Sequence, residues 1–173
     1  MAKQNIQKAL RDLQDTIVGK VPLPNEQVDQ ITIALLYKFM DDMDQVGIAM
    51  GGVATFFSGE YEKYSWKKIM SPSKGAQERY NLYAEGLEKF YSNSALPDTF
   101  RSIFKNATIP YRDAETLTNF LKIIDANFDY NEDSEQLGDA YELLLNILGS
   151  SGDLGMFRTP RHIINMMVNL VKP

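Results

Sequence analysis

Apolar residues recur at steps of three and four along most of this chain. That spacing places side chains on one face of an α-helix, whereas a half-buried strand requires strict alternation of apolar and polar residues. Few segments alternate, so any sheet is expected to be minor. With 173 residues, of which 44% are hydrophobic, the chain is long enough to bury a core. The pattern therefore predicts an all-α fold.

Breaks in the helical pattern divide the first part of the chain. We expect helices over residues 5–18, 60–70, 76–91 and 113–127, a long helix after the N-cap residue Asn25, a short one beginning at Pro97 and a last one capped by Asp133 or Ser134. The helix after Asn25 has the longest apolar stripe and is expected to lie at the centre. We predict one bundle over residues 5–148, with a core that includes Leu35, Phe39, Leu121, Ile124, Tyr141 and Leu144.

A clear helix start lies near the end of the sequence. The Thr159 hydroxyl suits an N-cap, and Pro160 suits the first helical position, where no N–H is needed. The helix that follows should pack on something, because apolar residues share one of its faces: Ile163, Ile164, Met167, Val168 and Val171.

Basic residues gather at the beginning of this last helix. Arg158, Arg161 and His162 lie where positive charge opposes the helix macrodipole. A bound anion would relieve that conflict, because the first N–H groups of a helix have no partner within it. A capped amphipathic helix with its arginines in solvent fits the same residues, so both interpretations stay open.

Metal and nucleophile chemistry find little support in the composition. The chain has no cysteine and one histidine, which excludes disulfides, thiol catalysis and Cys- or His-rich metal sites. His162 has no evident Asp or Ser partner in its motif and is interpreted as a surface or packing residue. Asp41, Asp42 and Asp44 form no calcium-binding loop, and adjacent carboxylates on a helix diverge. We therefore predict no metal site.

The polar first residues lack the pattern of a signal peptide, and no stretch approaches the roughly 20 apolar residues of a membrane span. Together with the absence of cysteine, this predicts a soluble cytoplasmic protein that does not enter membranes.

Basic and aromatic residues alternate between residues 61 and 80. Such a mixture could contact phosphates and stack on bases. It also suits a solvated helix face anchored by aromatic side chains. We favour the second interpretation because Glu60, Glu62 and Glu78 dilute the positive charge and the net charge of the chain is −5.

Glycine and serine dominate residues 149–155, which predicts a flexible linker. A phosphate-binding loop is a poor interpretation because no apolar strand precedes the segment and no Lys-Ser or Lys-Thr pair ends it. The linker divides the chain into a helical domain, 1–148, and a second region, 149–173.

Two segments in order, Leu-Gly-Asp-Ala-Tyr-Glu-Leu-Leu over residues 137–144 and Gly-Met-Phe-Arg-Thr-Pro-Arg-His-Ile-Ile over residues 155–164, carry a family resemblance. Together they resemble the junction in the modification (methyltransferase) subunits of type I restriction-modification systems. Residues 31–42 are similar to the long apolar helix in the N-terminal helical domain of that family.

The resemblance implies an enzyme that methylates N6 of adenine in DNA with S-adenosylmethionine. Its partners would be DNA, a specificity subunit and a restriction subunit. The residues that would line the cofactor site are Met156, Phe157, Arg158, Thr159, Pro160 and Arg161. Phe157 would pack on the ligand, and Thr159 with nearby N–H groups would bind the ligand carboxylate.

Two parts of the family pattern are missing. The chain lacks the glycine-rich cofactor loop. It also lacks the Asn/Asp-Pro-Pro-aromatic motif that holds a flipped adenine, because no two of its seven prolines are adjacent. We therefore expect a helical bundle followed by the first helix of a truncated α/β methyltransferase domain, inactive alone and serving DNA clamping and subunit contacts. The alternative is a self-contained helical module with an acidic face for a basic partner.

Overall fold

All regular structure in the described part of the chain is helical, which confirms the all-α prediction. The computed structural model describes residues 2–94, 96–130, 136–150, 159 and 161–172. Its elements are α1 (Ala2–Ile17), α2 (Pro24–Ala49), a 3₁₀ helix (Gly59–Tyr64), α3 (Trp66–Ile69), α4 (Ala76–Ser92), α5 (Asp98–Ile103), α6 (Ala114–Asn127), α7 (Gln136–Ser150) and α8 (Arg161–Val171). None of these helices has the length and apolar character needed to cross a membrane.

Helix α2 lies at the centre, as predicted, and contacts α1, α3, α6 and α7. Ile31 and Leu35 on its apolar stripe are at most 1% exposed. The prediction that Asn25 caps this helix is wrong. Helix α2 begins one residue earlier, at Pro24, and the extended residue Leu23 precedes it. Proline suits the first turn because it lacks the N–H that would have no partner there.

Helix α6 packs between α1 and α4 and begins at a well-formed cap. The Asp113 carboxylate accepts a hydrogen bond from the N–H of Thr116 at 3.1 Å. It also forms an ion pair with Lys20 Nζ at 3.0 Å. The Thr116 N–H and then Lys20 lower the pKa of Asp113 to about 2. The predicted helix over residues 113–127 is thus confirmed, with its first residue serving as the cap.

The segment between residues 59 and 70 forms two short helices where the sequence predicted one. Ser65 separates them with an extended backbone, φ −57° and ψ 145°. Its hydroxyl accepts a hydrogen bond from the N–H of Lys68 at 3.4 Å, so it caps α3. A serine that can cap a new helix competes with continuation of the old one.

Aromatic rings fill the space between α2, α3 and α4, with Tyr37 at their centre. The Tyr37 ring centroid lies 5.1 Å from those of Tyr83 and Phe90 and 5.6 Å from that of Phe57. Its hydroxyl donates a hydrogen bond to the carbonyl of Tyr64 at 2.6 Å. This close packing requires glycine at residue 86, where a Cβ would lie 2.4 Å from Tyr37 Oη.

The predicted core is largely confirmed. Four of its members are at most 1% exposed: Leu35, Leu121, Ile124 and Leu144. Phe39 is half-buried against them. Tyr141 contradicts the prediction, because it is 42% exposed. Helix α7 turns Ala140 and Leu144 inward, and Tyr141 follows Ala140 by one helical step of about 100°.

The end of α7 overlaps the predicted linker. The helix continues to Ser150 and so includes Gly149, where the linker was expected to begin. The rest of that glycine-rich segment, and the predicted caps Asp133 and Ser134, lie outside the described residues.

Candidate functional site

The predicted helix start near residue 160 is present. Helix α8 begins at Arg161, and the side chain of Thr159 just before it is exposed. The other predicted cofactor-site residues, Met156, Phe157, Arg158 and Pro160, lie outside the described residues. The structure therefore brings the helix start and Thr159 together, and the rest of the pocket stays a prediction.

The apolar side chains of α8 are on the surface. Ile164, Met167, Val168 and Val171 are between 44% and 73% exposed. His162 is exposed, in agreement with its interpretation as a surface residue. An exposed apolar stripe of this kind is characteristic of a helix that packs against another surface.

A set of buried carboxylates lies on α2, and the sequence did not predict it. Asp41, Asp42 and Asp44 are each only 2–3% exposed. Buried carboxylates are stable only when hydrogen bonds or opposite charges compensate them. Each of the three meets a different segment of the chain, so α2 carries three polar connections within one turn.

Asp44 holds the loop that follows α2. Its two carboxylate oxygens accept hydrogen bonds from the N–H groups of Thr55 at 2.6 Å, Phe56 at 3.0 Å and Phe57 at 2.7 Å. Three N–H donors satisfy most of the capacity of one carboxylate. The Asp44 side chain therefore fixes the backbone of residues 55–57.

Asp42 connects α2 to the end of the α6 segment. One carboxylate oxygen pairs with Lys38 Nζ, and the other accepts a hydrogen bond from the N–H of Tyr130 at 3.2 Å. Each oxygen of Asp42 therefore has a partner, one on α2 itself and one in the segment after α6.

Asp41 is only half compensated. Its Oδ2 accepts a hydrogen bond from the N–H of Lys67 at 3.1 Å, whereas Oδ1 is buried and has no hydrogen-bond donor among the described residues. Burial is the main reason that the pKa of Asp41 is raised to about 6. This carboxylate is the least satisfied charged group on α2.

These carboxylates connect structural elements. Among the residues that the structure describes, no group of three or more His, Asp or Glu side chains could hold a metal ion. The sequence contained one signal for the role of Asp42. Lys38 and Asp42 are four residues apart and continue the stripe of Ile31 and Leu35, so an i,i+4 ion pair on a buried face was to be expected.

The basic and aromatic segment packs as an anchored helix face. Trp66 is buried, and its Nε1–H donates to Asp125 Oδ1 at 2.8 Å. Arg79 is also buried and donates to the carbonyls of Ile69 at 3.0 Å and Ser71 at 3.1 Å. Rings and guanidinium groups engaged in this way are not available to stack on bases.

Comparison with protein-family models, curated proteins and solved structures found no match to this chain. The resemblance to type I modification subunits consequently rests on the sequence of residues 137–144 and 155–164.

Proposed function

We propose that this chain is the N-terminal region of an adenine-specific DNA methyltransferase subunit of a type I restriction-modification system. The helical bundle would clamp DNA and contact the specificity and restriction subunits. The single observation that carries the proposal is the start of α8, where exposed Thr159 lies two residues before Arg161, the first residue of the helix. The resemblance assigns the entrance of the S-adenosylmethionine pocket to this turn.

The chemistry of a helix start supports a carboxylate ligand at this position. The first N–H groups of a helix point outward and carry partial positive charge. The first turn of α8 contains no acidic residue that would compete for those groups. The carboxylate of S-adenosylmethionine would complete the turn, and the Thr159 hydroxyl is accessible to donate a hydrogen bond to it.

The exposed face of α8 is compatible with the proposal. In an α/β domain, helices cover a sheet with their apolar faces. Ile164, Met167 and Val168 are about half exposed and form such a face. The same face would suit a self-contained interaction module, so the experiments must test methylation itself.

The first experiment examines Thr159 in the full-length subunit, assembled with its specificity subunit. Thr159→Val keeps the shape of the side chain and removes its hydroxyl. Loss of a hydrogen bond to a charged group costs roughly 1.5 to 3 kcal/mol, so half-maximal methylation should require about tenfold or more additional S-adenosylmethionine. Thr159→Ser, which retains the hydroxyl, is the matched control and should stay close to the wild type. An unchanged requirement in a folded Thr159→Val variant would make the turn purely structural.

The second experiment asks whether the parent protein methylates DNA in its host. Deletion of the gene should remove N6-methyladenine from one recognition sequence across the genome, as measured by single-molecule sequencing. A methylation pattern that is the same with and without the gene would contradict the proposal and favour the interaction module.

The chain of 173 residues should be inactive alone. It has neither the glycine-rich loop nor a Pro-Pro motif, so we expect no methyl transfer to DNA and little binding of S-adenosylmethionine. Methylation by this chain alone, or micromolar cofactor affinity in calorimetry, would count against the proposal.

A further inference from the structure

Two grooves flank the segment that joins α5 to α6. The groove on the α2 side has a volume of about 490 Å³, and the groove on the α4 side has a volume of about 370 Å³. Both are lined by residues 106–108, so they lie on either side of one short stretch of backbone. The α4 wall runs from Tyr80 to Tyr91, which is about 16 Å along a helix. This two-groove surface is therefore long enough for a polypeptide segment.

The segment between the grooves is held by both helices. Gln30 Nε2 on α2 donates a hydrogen bond to the carbonyl of Thr108 at 2.9 Å. The Tyr80 hydroxyl on α4 donates to the carbonyl of Tyr111 at 2.7 Å. Phe104, at the start of the segment, is buried in the core. The two-groove surface is thus formed before a partner arrives, which lowers the entropy cost of binding.

Apolar side chains are accessible on both sides of this segment. Ile103 lines the α2-side groove and is 41% exposed, and Tyr91 lines the α4-side groove and is 48% exposed. Ile33 and Ile109 extend the apolar lining of the two grooves. Exposed apolar surface that is bordered by polar residues is typical of a contact with another protein.

The charges beside these apolar side chains indicate the charge of the partner. Glu26 and Asp29 line the α2-side groove, Glu88 lines the α4-side groove, and all three are exposed. None of the three forms an ion pair with another described residue. Lys105 is the single basic residue among the described residues that line either groove. A cation on a partner can therefore reach carboxylates that this chain leaves free.

We propose that the two-groove surface binds a basic segment of a protein partner, whose apolar side chains enter the grooves while its Arg or Lys side chains meet the three carboxylates. Arginine suits this position, because its methylene stem can cover Ile103 while the guanidinium group pairs with Asp29. A small cation would leave the apolar walls uncovered. DNA fits less well, because its phosphates would face three carboxylates.

The test is a titration of the full chain followed by two-dimensional ¹H–¹⁵N nuclear magnetic resonance. The probe is the peptide acetyl-Leu-Arg-Leu-Arg-Leu-amide. It should shift the N–H signals of Lys105, Thr108 and Ile109, and the shifts should saturate. The same peptide with glutamate in place of arginine keeps the apolar side chains and should bind more weakly or not at all, because its charges match those of the surface.

Two double variants of equal charge test the carboxylates. Glu26→Gln with Asp29→Asn should weaken binding of the arginine peptide by about three- to tenfold, the combined effect of two exposed ion pairs. Asp12→Asn with Asp15→Asn is the matched control, because these exposed acids on α1 have the same spacing and line neither groove. Its affinity should stay within about twofold of the wild type.

Lys105→Glu tests the same surface in the opposite direction. It should strengthen binding by about two- to tenfold, and a gain in affinity cannot result from loss of folding. Shifts that do not saturate, equal losses in the two double variants, or a DNA duplex that shifts the same signals more strongly would overturn the proposal. None of these measurements involves methyl transfer, so failure of this inference and failure of the proposed function can be distinguished.

Discussion

Helices α2 and α8 carry the same kind of apolar stripe but differ greatly in burial. Ile31 and Leu35 on α2 are at most 1% exposed, whereas Val168 and Val171 on α8 are 50% and 73% exposed. Periodicity predicts that a helix has an apolar face and does not predict what that face meets. The buried helix also has an ion pair and carboxylate hydrogen bonds to distant segments, which supply contacts that a stripe alone lacks.

The largest expected difference between the two helices concerns stability. Leu35→Ala should lower the free energy of unfolding by about 2 to 5 kcal/mol, because it removes a fully buried side chain. Val168→Ala on α8 should change it by no more than about 0.5 kcal/mol, as is usual for surface positions. Chemical denaturation of both variants measures this contrast. Equal effects would show that the two stripes have equal roles.

The next effect concerns the close contact between α2 and α4. Gly86→Ala would place Cβ 2.4 Å from Tyr37 Oη, and the buried Tyr37 ring is enclosed by Tyr83 and Phe90. We expect a loss of about 1 to 3 kcal/mol despite the better helix propensity of alanine. Gly138→Ala on α7 is the control, because nothing lies within 4 Å of the added Cβ. It should leave stability equal or raise it by up to about 1 kcal/mol. A Gly86→Ala variant as stable as this control would show that α2 and α4 can separate easily.

The half-compensated carboxylate on α2 should make stability depend on pH. The pKa of Asp41 rises from 3.8 to about 6 on folding because burial disfavours the charged form. The folded chain therefore binds more protons between these values, so this site lowers the free energy of unfolding as the pH increases through that window.

Asp41→Asn removes that contribution. Relative to the wild type, the variant should gain on the order of 2 kcal/mol as the pH rises from about 4 to 6. Denaturation curves recorded at several pH values provide the measurement. If the free energy of unfolding of the two proteins depends on pH in the same way, folding does not raise the pKa of Asp41.

The smallest effect on stability is expected from a charge on the exposed helix. Val168→Lys should change the free energy of unfolding of this chain by about 0.5 kcal/mol or less. If the proposed function is correct, the same substitution in the full-length subunit should reduce methylation, because it would place a charge on the face that the proposal packs against a catalytic sheet. Full methylation activity with this lysine would contradict the packing of α8 that the proposal requires.

The sequence predicted helices well where local signals agreed with packing. Residues 76–91 were predicted and α4 ends one residue later, while Asp113 has both the position and the chemistry of a cap. Between residues 60 and 70 the apolar pattern and the capping chemistry of Ser65 favoured different structures, and the cap prevailed. Tyr141 was predicted to be buried and is exposed, because α7 buries Ala140 and Leu144 and the pattern of apolar residues fixes the orientation of a helix only to within about one position.

The sites were harder to predict because they depend on contacts between distant residues. The Asp42–Tyr130 and Trp66–Asp125 hydrogen bonds join residues 88 and 59 positions apart, and no local pattern encodes such pairs. The Lys38–Asp42 pair is local and could have been inferred. The cofactor-site prediction depended on resemblance, and most of its residues lie outside the described part of the chain.

The hydrogen bonds of Asp44 have a consequence for the order of folding. They join residues only 11 to 13 positions apart, whereas Asp42 reaches Tyr130 across 88 positions. The entropy lost on closing a chain segment grows with its length, and local contacts therefore form faster. We expect the second half of α2 to capture residues 55–57 early and to present a preformed hairpin-like unit to the later helices. The conformation of that loop is then encoded in an upstream aspartate, so the exposed side chain of Thr55 can vary more freely than Asp44.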